Sequence, residues 1–172
     1  ESFRRFLHAS EAQHVRTEDL REVLEERGVL EVPPKRAWLV RGSSVDGHDL
    51  IPKWLAEGFA SLRAARLPEV EPGIARDQLK TLVEEGYSQS SYAAKAAKLD
   101  EFHAFLSRME VGDLIVTTSQ GMLYLGTVTG IAEYVKSVDD LSNLRRTVDW
   151  APVGHDYGDL AGEIKARLQV QY

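Results

Sequence analysis

The stretch that most constrains the fold is Leu114–Val135 (Leu-Ile-Val-Thr-Thr-Ser-Gln-Gly-Met-Leu-Tyr-Leu-Gly-Thr-Val-Thr-Gly-Ile-Ala-Glu-Tyr-Val). It is rich in β-branched and aromatic residues, and its apolar positions follow the two-residue period of a strand rather than the 3.6 of a helix. Ser119-Gln120-Gly121 breaks it with hairpin chemistry, which makes its two halves antiparallel neighbours. Leu114–Thr118 is the first strand and Met122–Val135 the second, too long to stay flat. Gly126 and Gly130 mark a bend or bulge in it, the device by which a small sheet curls. Leu144–Trp150 is a last strand, after a polar loop at Asp139-Asp140.

The chain upstream is organised around Lys35–Gly47. Pro33-Pro34 ends whatever precedes it and favours an extended start. Trp38, Leu39 and Val40 suit a strand. Arg41–Gly47 then breaks into a loop of Gly, Ser and Asp with few bulky side chains, whose backbone can approach a flat ligand. Asp49 is placed to cap a short helix over Leu50–Glu57 with Pro52 in its first turn, and Gly58 ends it. Phe59–Ala64 reads as a second strand, and 66–74 as a Pro- and Gly-containing loop. A helix follows over 75–85, with Leu79, Leu82 and Val83 on one face. Ser90 or Ser91 starts another over about 92–108, with Ala93, Ala96, Ala97, Leu99, Phe102, Phe105, Leu106 and Met109 as its buried stripe.

Residues 1–32 predict a helical extension, in which Thr17 caps a helix that Gly28 stops. Residues 33–155 form the main domain. Residues 156–172 read as a linker, with a short helix near Ile164–Leu168, and the chain as a piece of a longer protein. The order of elements gives an α+β fold: a small, strongly bent β-barrel with flanking helices.

Composition excludes several function classes. There are no cysteines, hence no disulfide framework and no thiolate metal site, which suits a cytoplasmic setting. No apolar run reaches the roughly 20 residues of a membrane span. The five histidines are scattered without H-x-x-x-H or H-E-x-x-H spacing, and Asp46-Gly47-His48-Asp49 is an ordinary polar loop rather than a metal site. Nucleotide-binding glycine motifs and a G-x-S-x-G elbow are absent, so no catalysis and no cofactor are expected of these residues. The formal net charge of -6 argues against a polyanionic partner when averaged over the chain. Its distribution differs: 33–64 is the one net-positive segment, with Lys35, Arg36, Arg41, Lys53 and Arg63 against Asp46, Asp49 and Glu57.

The ordered series Trp38-Leu39-Val40-Arg41-Gly42, Gly58-Phe59-Ala60-Ser61-Leu62, Phe105–Val116 with Val111-Gly112-Asp113, Leu125–Gly130 and Arg145–Trp150 resembles the EVE-like branch of the PUA superfamily. Similar modules stand at the N-terminus of McrB-type, modification-dependent restriction proteins. The likeness covers about 36–150. It implies a DNA-binding specificity domain that takes up a modified base, such as 5-methylcytosine or methyladenine, flipped from duplex DNA. It further implies a phage-defence restriction system in which a C-terminal AAA+ GTPase motor and a separate McrC-type nuclease do the cutting.

Such a pocket needs backbone edges, a flat apolar wall and one or two polar side chains. Arg41, Gly42, Ser43 and Ser44 fit the edge-reading role. Trp54, Tyr87 and Tyr92 are the candidate walls, and Ser61 and Leu62 the candidate floor. Arg36, Lys53, Arg63, Arg145 and Arg146 are the candidate phosphate contacts. The same fold physics serves structured RNA, and the acidic balance suits a protein-interaction domain; these are the two alternative readings.

Overall fold

The computed structural model describes residues 14–16, 36–156 and 158. Its architecture is mixed α+β. Strands β1 (His14–Arg16), β2 (Arg36–Leu39) and β3 (Phe59–Leu62) precede helices α2 (Arg76–Gly86) and α3 (Tyr92–His103), with helix α1 (Ile51–Glu57) between β2 and β3. Strands β4 (Leu114–Ser119), β5 (Met122–Val128), β6 (Glu133–Tyr134), β7 (Leu144–Trp150) and β8 (His155–Asp156) follow. The sheet runs β1-β2-β4-β5-β7-β3, with β6 added to β7 and β8 to β5. β2 and β4 pair in parallel, Trp38 opposite Ile115; the other pairs are antiparallel.

Three expectations change here. Among the described residues the expected barrel is not closed: β1 and β3 stand at the two ends of the path, with no pairing between them. The expected long strand Met122–Val135 is interrupted after Val128 and resumes as β6 along the same edge of β7, opposite the edge that β3 takes. Gly126 lets the side chains of the neighbouring strand close in, since a Cβ there would run into Cγ1 of Val148 and lie 2.7 Å from Cε3 of Trp150. Within the N-terminal segment, His14–Arg16 is a strand paired to β2 rather than part of a helix; the rest of that segment, and the expected helix near 164–168, lie outside the described residues.

Local chemistry explains most boundaries. Asp49 Oδ1 accepts from the Ile51 N–H at 3.0 Å, and Gly58 closes α1 in the left-handed conformation (φ 74°). Ser91 caps α3, its Oγ accepting from the Ala94 N–H. The expected single helix over 92–108 divides. After His103 it widens into a π-helical turn over Ala104–Arg108, closed by the Met109 N–H to the Ala104 carbonyl at 2.8 Å. This extra residue turns Ala104, Phe105 and Leu106 inward together, whereas Ala93, Ala96 and Ala97, expected in the buried stripe, face solvent.

The core is one continuous cluster in which Trp38, Trp54, Phe102, Phe105, Ile115 and Leu144 are among the most enclosed side chains. Buried polar groups inside it are mostly paired. Asp113 Oδ2 accepts from Trp38 Nε1 at 2.8 Å and from the Glu110 N–H at 2.9 Å. Asn143 Oδ1 accepts from the Ala64 N–H at 3.0 Å, fixing the chain as it leaves β3. No helix among the described residues is long and apolar enough to cross a membrane.

Candidate functional site

Two clefts of about 360 Å³ each open side by side where the loop after β2, the end of β3 and helix α3 meet. Both are lined by Arg41, Ser44, Leu62 and Glu101. The first is otherwise walled by Trp38 and Leu39 of β2, Val40 and Ser43 after it, Ala104 and Phe105 of the π-helical turn, and Met109 at its end. The second carries Arg63, Arg66 and Lys98 in addition to Arg41, with Tyr87 and Ser61 beneath. One cleft is therefore half apolar, and its neighbour is ringed by four cations against a single carboxylate.

The loop is positioned by its own turn and by the core. Val45 and His48 exchange backbone hydrogen bonds at 2.8 and 3.0 Å across Asp46-Gly47, both in the left-handed region (φ 51° and 79°). This hairpin tip holds Ser43 and Ser44 exposed at the cleft mouth. At its base the Leu50 N–H donates to the Gly42 carbonyl at 2.7 Å.

Of the sequence-predicted pocket residues, Arg41, Ser43, Ser44 and Leu62 come together in the first cleft, and Tyr87 and Ser61 lie in the second. Gly42 belongs to the same loop but faces inward, against the ring of Trp54. Trp54 is not a wall. It is fully buried, donates from Nε1 to Ser61 Oγ at 2.9 Å and stacks near-parallel with Trp150 at 6.3 Å. Ser61 is enclosed with it, and its own hydroxyl donates to Ser142 Oγ at 3.1 Å. Tyr92, at the exposed start of α3, lines neither cleft. The Tyr87 ring is tilted on Phe102 and lies under Lys98 Nζ, 4.7 Å from the centroid.

The predicted phosphate contacts divide similarly. Arg63 faces the second cleft, 3.7 Å from Asp46. Lys53 is exposed on α1 beside Glu57, and lines neither cleft. Arg36 is bound into the framework: it donates to the Arg108 carbonyl, lies 3.7 Å from Asp113 and covers one side of Trp38. Arg145 packs on Phe59 and donates to the Ser142 carbonyl at 3.0 Å. Arg146 corrects the expectation outright. It points into the core over Phe105, only 4% exposed, with Nε and Nη1 unpartnered. Burial lowers its pKa, and the Asp113 charge opposes that shift.

Sequence reasoning missed Glu101, Arg66 and Lys98. Glu101 is the one carboxylate among the lining residues of either cleft. Desolvation raises its pKa above the usual carboxylate value, and the Lys98 ammonium one turn away only partly offsets this. Lys98 and Glu101 share the three-residue spacing that puts side chains on one helical face, which is the signal that links them. Arg66 follows the β3 strand by four residues and carries no comparable signal.

Among the described residues no group of three His, Asp or Glu is arranged to hold a metal ion. Comparison with protein-family models, curated proteins and solved structures finds no match for this chain.

Proposed function

We propose that this chain is a modified-base reader with a PUA-like, EVE-type fold: it receives one base, flipped out of duplex DNA, into the first cleft, while the second cleft takes the phosphates beside it. The observation that carries this reading is the junction of the two clefts at Arg41, Ser44, Leu62 and Glu101. A flipped nucleotide needs such a pair, an enclosed place for a flat ring and a cationic shelf for the backbone attached to it.

The energetics suit the division of labour. Extruding a base costs a few kcal/mol. Stacking on an aromatic face returns about 1–3 kcal/mol per base; Phe105 offers such a face in the first cleft, with Leu62 and Met109 adding apolar surface beside it. A methyl group adds about 0.8 kcal/mol when it fills an apolar notch. The methyl increment is small, so selectivity also requires polar groups that fix the ring, and Ser43, Ser44 and Glu101 line the cleft to do so. A cytoplasmic restriction complex, with a GTPase motor and a McrC-type nuclease, is the setting in which a non-catalytic reader of this kind works.

The test is competition. Labelled duplex DNA with a single 5-methylcytosine, hydroxymethylcytosine, 4-methylcytosine or 6-methyladenine is bound to the protein and displaced by unmodified duplex or by structured RNA. Preferential retention of one modified duplex supports the reading. Equal displacement by unmodified DNA, or stronger displacement by RNA, replaces it with a sequence-blind or RNA-binding module.

A further inference from the structure

Glu101 is unusual among the acidic side chains of this protein. It stands on α3, one turn before the helix widens, where it lines both clefts. It has no hydrogen bond or ion pair to another described residue, in contrast to Glu84, which holds Lys95 Nζ at 2.5 Å, and Asp100, which holds Arg76 Nη2 at 2.5 Å. The titratable groups that line the second cleft with it are Lys98 on its own helix, Arg41 from the β2 loop, Arg63 and Arg66 from the chain after β3, and Tyr87 at the end of α2; of these the Lys98 charge acts on it.

Resting on the reading of this cleft as a base pocket, we propose that Glu101 is its specificity-determining residue and pairs, as the neutral acid, with a base edge that carries a donor beside an acceptor. Cytosine presents N4–H beside N3, and adenine N6–H beside N1. A carboxylic acid matches either, donating its proton to the ring nitrogen and accepting from the amine. Guanine presents two adjacent donors, N1–H and N2–H, which match the carboxylate instead. The low-dielectric side of the cleft, formed by Ala104, Phe105 and Met109, disfavours the charged form. A free carboxylate would set a lone pair against the ring nitrogen of cytosine or adenine and weaken the pair.

The sign of the pH dependence follows. Binding of a cytosine- or adenine-type base is strongest while Glu101 holds its proton and weakens as pH rises through its pKa. Glu101→Gln carries a donor and an acceptor at every pH and removes that titration. The difference between wild type and this variant isolates Glu101 from the other titrating groups of the surface, including His103 on the same helix.

The experiment measures the affinity of the full chain from pH 5 to 9 for duplexes with one 5-methylcytosine, 4-methylcytosine, 6-methyladenine or 8-oxoguanine, and for unmodified duplex. Wild type, Glu101→Gln and Glu101→Ala are compared, with thermal melting as the check on folding. The expected result has three parts. Wild type prefers a cytosine- or adenine-type duplex and loses affinity by at most about tenfold per pH unit above the Glu101 pKa. Glu101→Gln keeps the preference and shows no such loss. Glu101→Ala loses the preference for the cytosine- and adenine-type duplexes over the 8-oxoguanine duplex at all pH values. A folded Glu101→Gln that is as weak as Glu101→Ala, a wild-type profile that Glu101→Gln reproduces, or a preference for the 8-oxoguanine duplex overturns the proposal while leaving a base pocket in place. No preference for any modified duplex overturns the pocket reading and this proposal together.

Discussion

Gly42 lies directly on the indole of Trp54: a Cβ added to Gly42 would stand 2.5 Å from Cη2 and 2.7 Å from Cζ2 of that ring, and 2.9 Å from Cδ1 of Ile51. The loop that opens the cleft is thus seated on one of the most enclosed side chains of the core. Trp54 cannot move aside, because its Nε1 is bound to Ser61 and its ring is stacked with Trp150. Gly42→Ala is therefore expected to destabilise the protein by about 1–3 kcal/mol, the usual cost of overpacking. Urea denaturation measures it; an unchanged midpoint would mean that the loop lifts freely from the ring.

Trp54→Phe removes the donor to Ser61 and part of the stacked surface. The expected loss of stability is about 1–3 kcal/mol, with the ratio of affinities for modified and unmodified DNA unchanged, since the indole is outside both clefts. A variant that kept its stability and lost the ratio would restore Trp54 to the pocket.

The contrast between these two residues and Glu101 shows how far the sequence could be read. Caps, turns and strand-forming runs are local, and Ser91, Gly58 and the Ser119–Gly121 hairpin stand where local chemistry puts them. The loop Arg41–Ser44 was recognisable for the same reason, as small polar residues following a strand. Which way a residue faces across the fold is not local. Arg146 alternates inward with Leu144 and Val148, a pattern visible in the period of β7, yet its charge argued for the surface. Glu101 reaches the clefts because a helix far along the chain returns over the β2 loop, and no spacing in the sequence connects the two. The π-helical turn that adds Phe105 and Met109 to the cleft likewise depends on packing rather than on propensity.

The cationic cleft makes a quantitative prediction. If Arg66 and Lys98 each neutralise a phosphate, Arg66→Gln and Lys98→Gln each reduce the slope of log K against log salt by about 0.9. Arg146→Met leaves the slope unaltered, because the Arg146 side chain is enclosed over Phe105. Titrations at a series of potassium chloride concentrations decide the point. Slopes unchanged in the first two variants would place the DNA elsewhere on the surface.

Glu101 also links pH to folding. Its carboxyl holds a proton more tightly in the folded protein than its unfolded reference value of 4.5 allows, through desolvation. Its contribution to stability is fully present below that reference value and is lost as pH rises through the folded pKa. Glu101→Gln should therefore gain stability relative to wild type between acid and neutral pH. Denaturation of both proteins at pH 4 and pH 7.5 measures the gain; a difference that does not change with pH would show that the carboxyl is fully solvated.

The central claim is that the cleft beside Arg41, Leu62 and Phe105 distinguishes a modified base from its unmodified form. The most direct measurement is equilibrium titration of the chain with duplexes of one sequence, differing only in a single 5-methylcytosine, hydroxymethylcytosine, 4-methylcytosine or 6-methyladenine, at fixed salt. The account predicts that one of these binds more tightly than the unmodified duplex by about four-fold or more, the factor that 0.8 kcal/mol of buried methyl supplies. Equal affinity for every duplex in the series would contradict it.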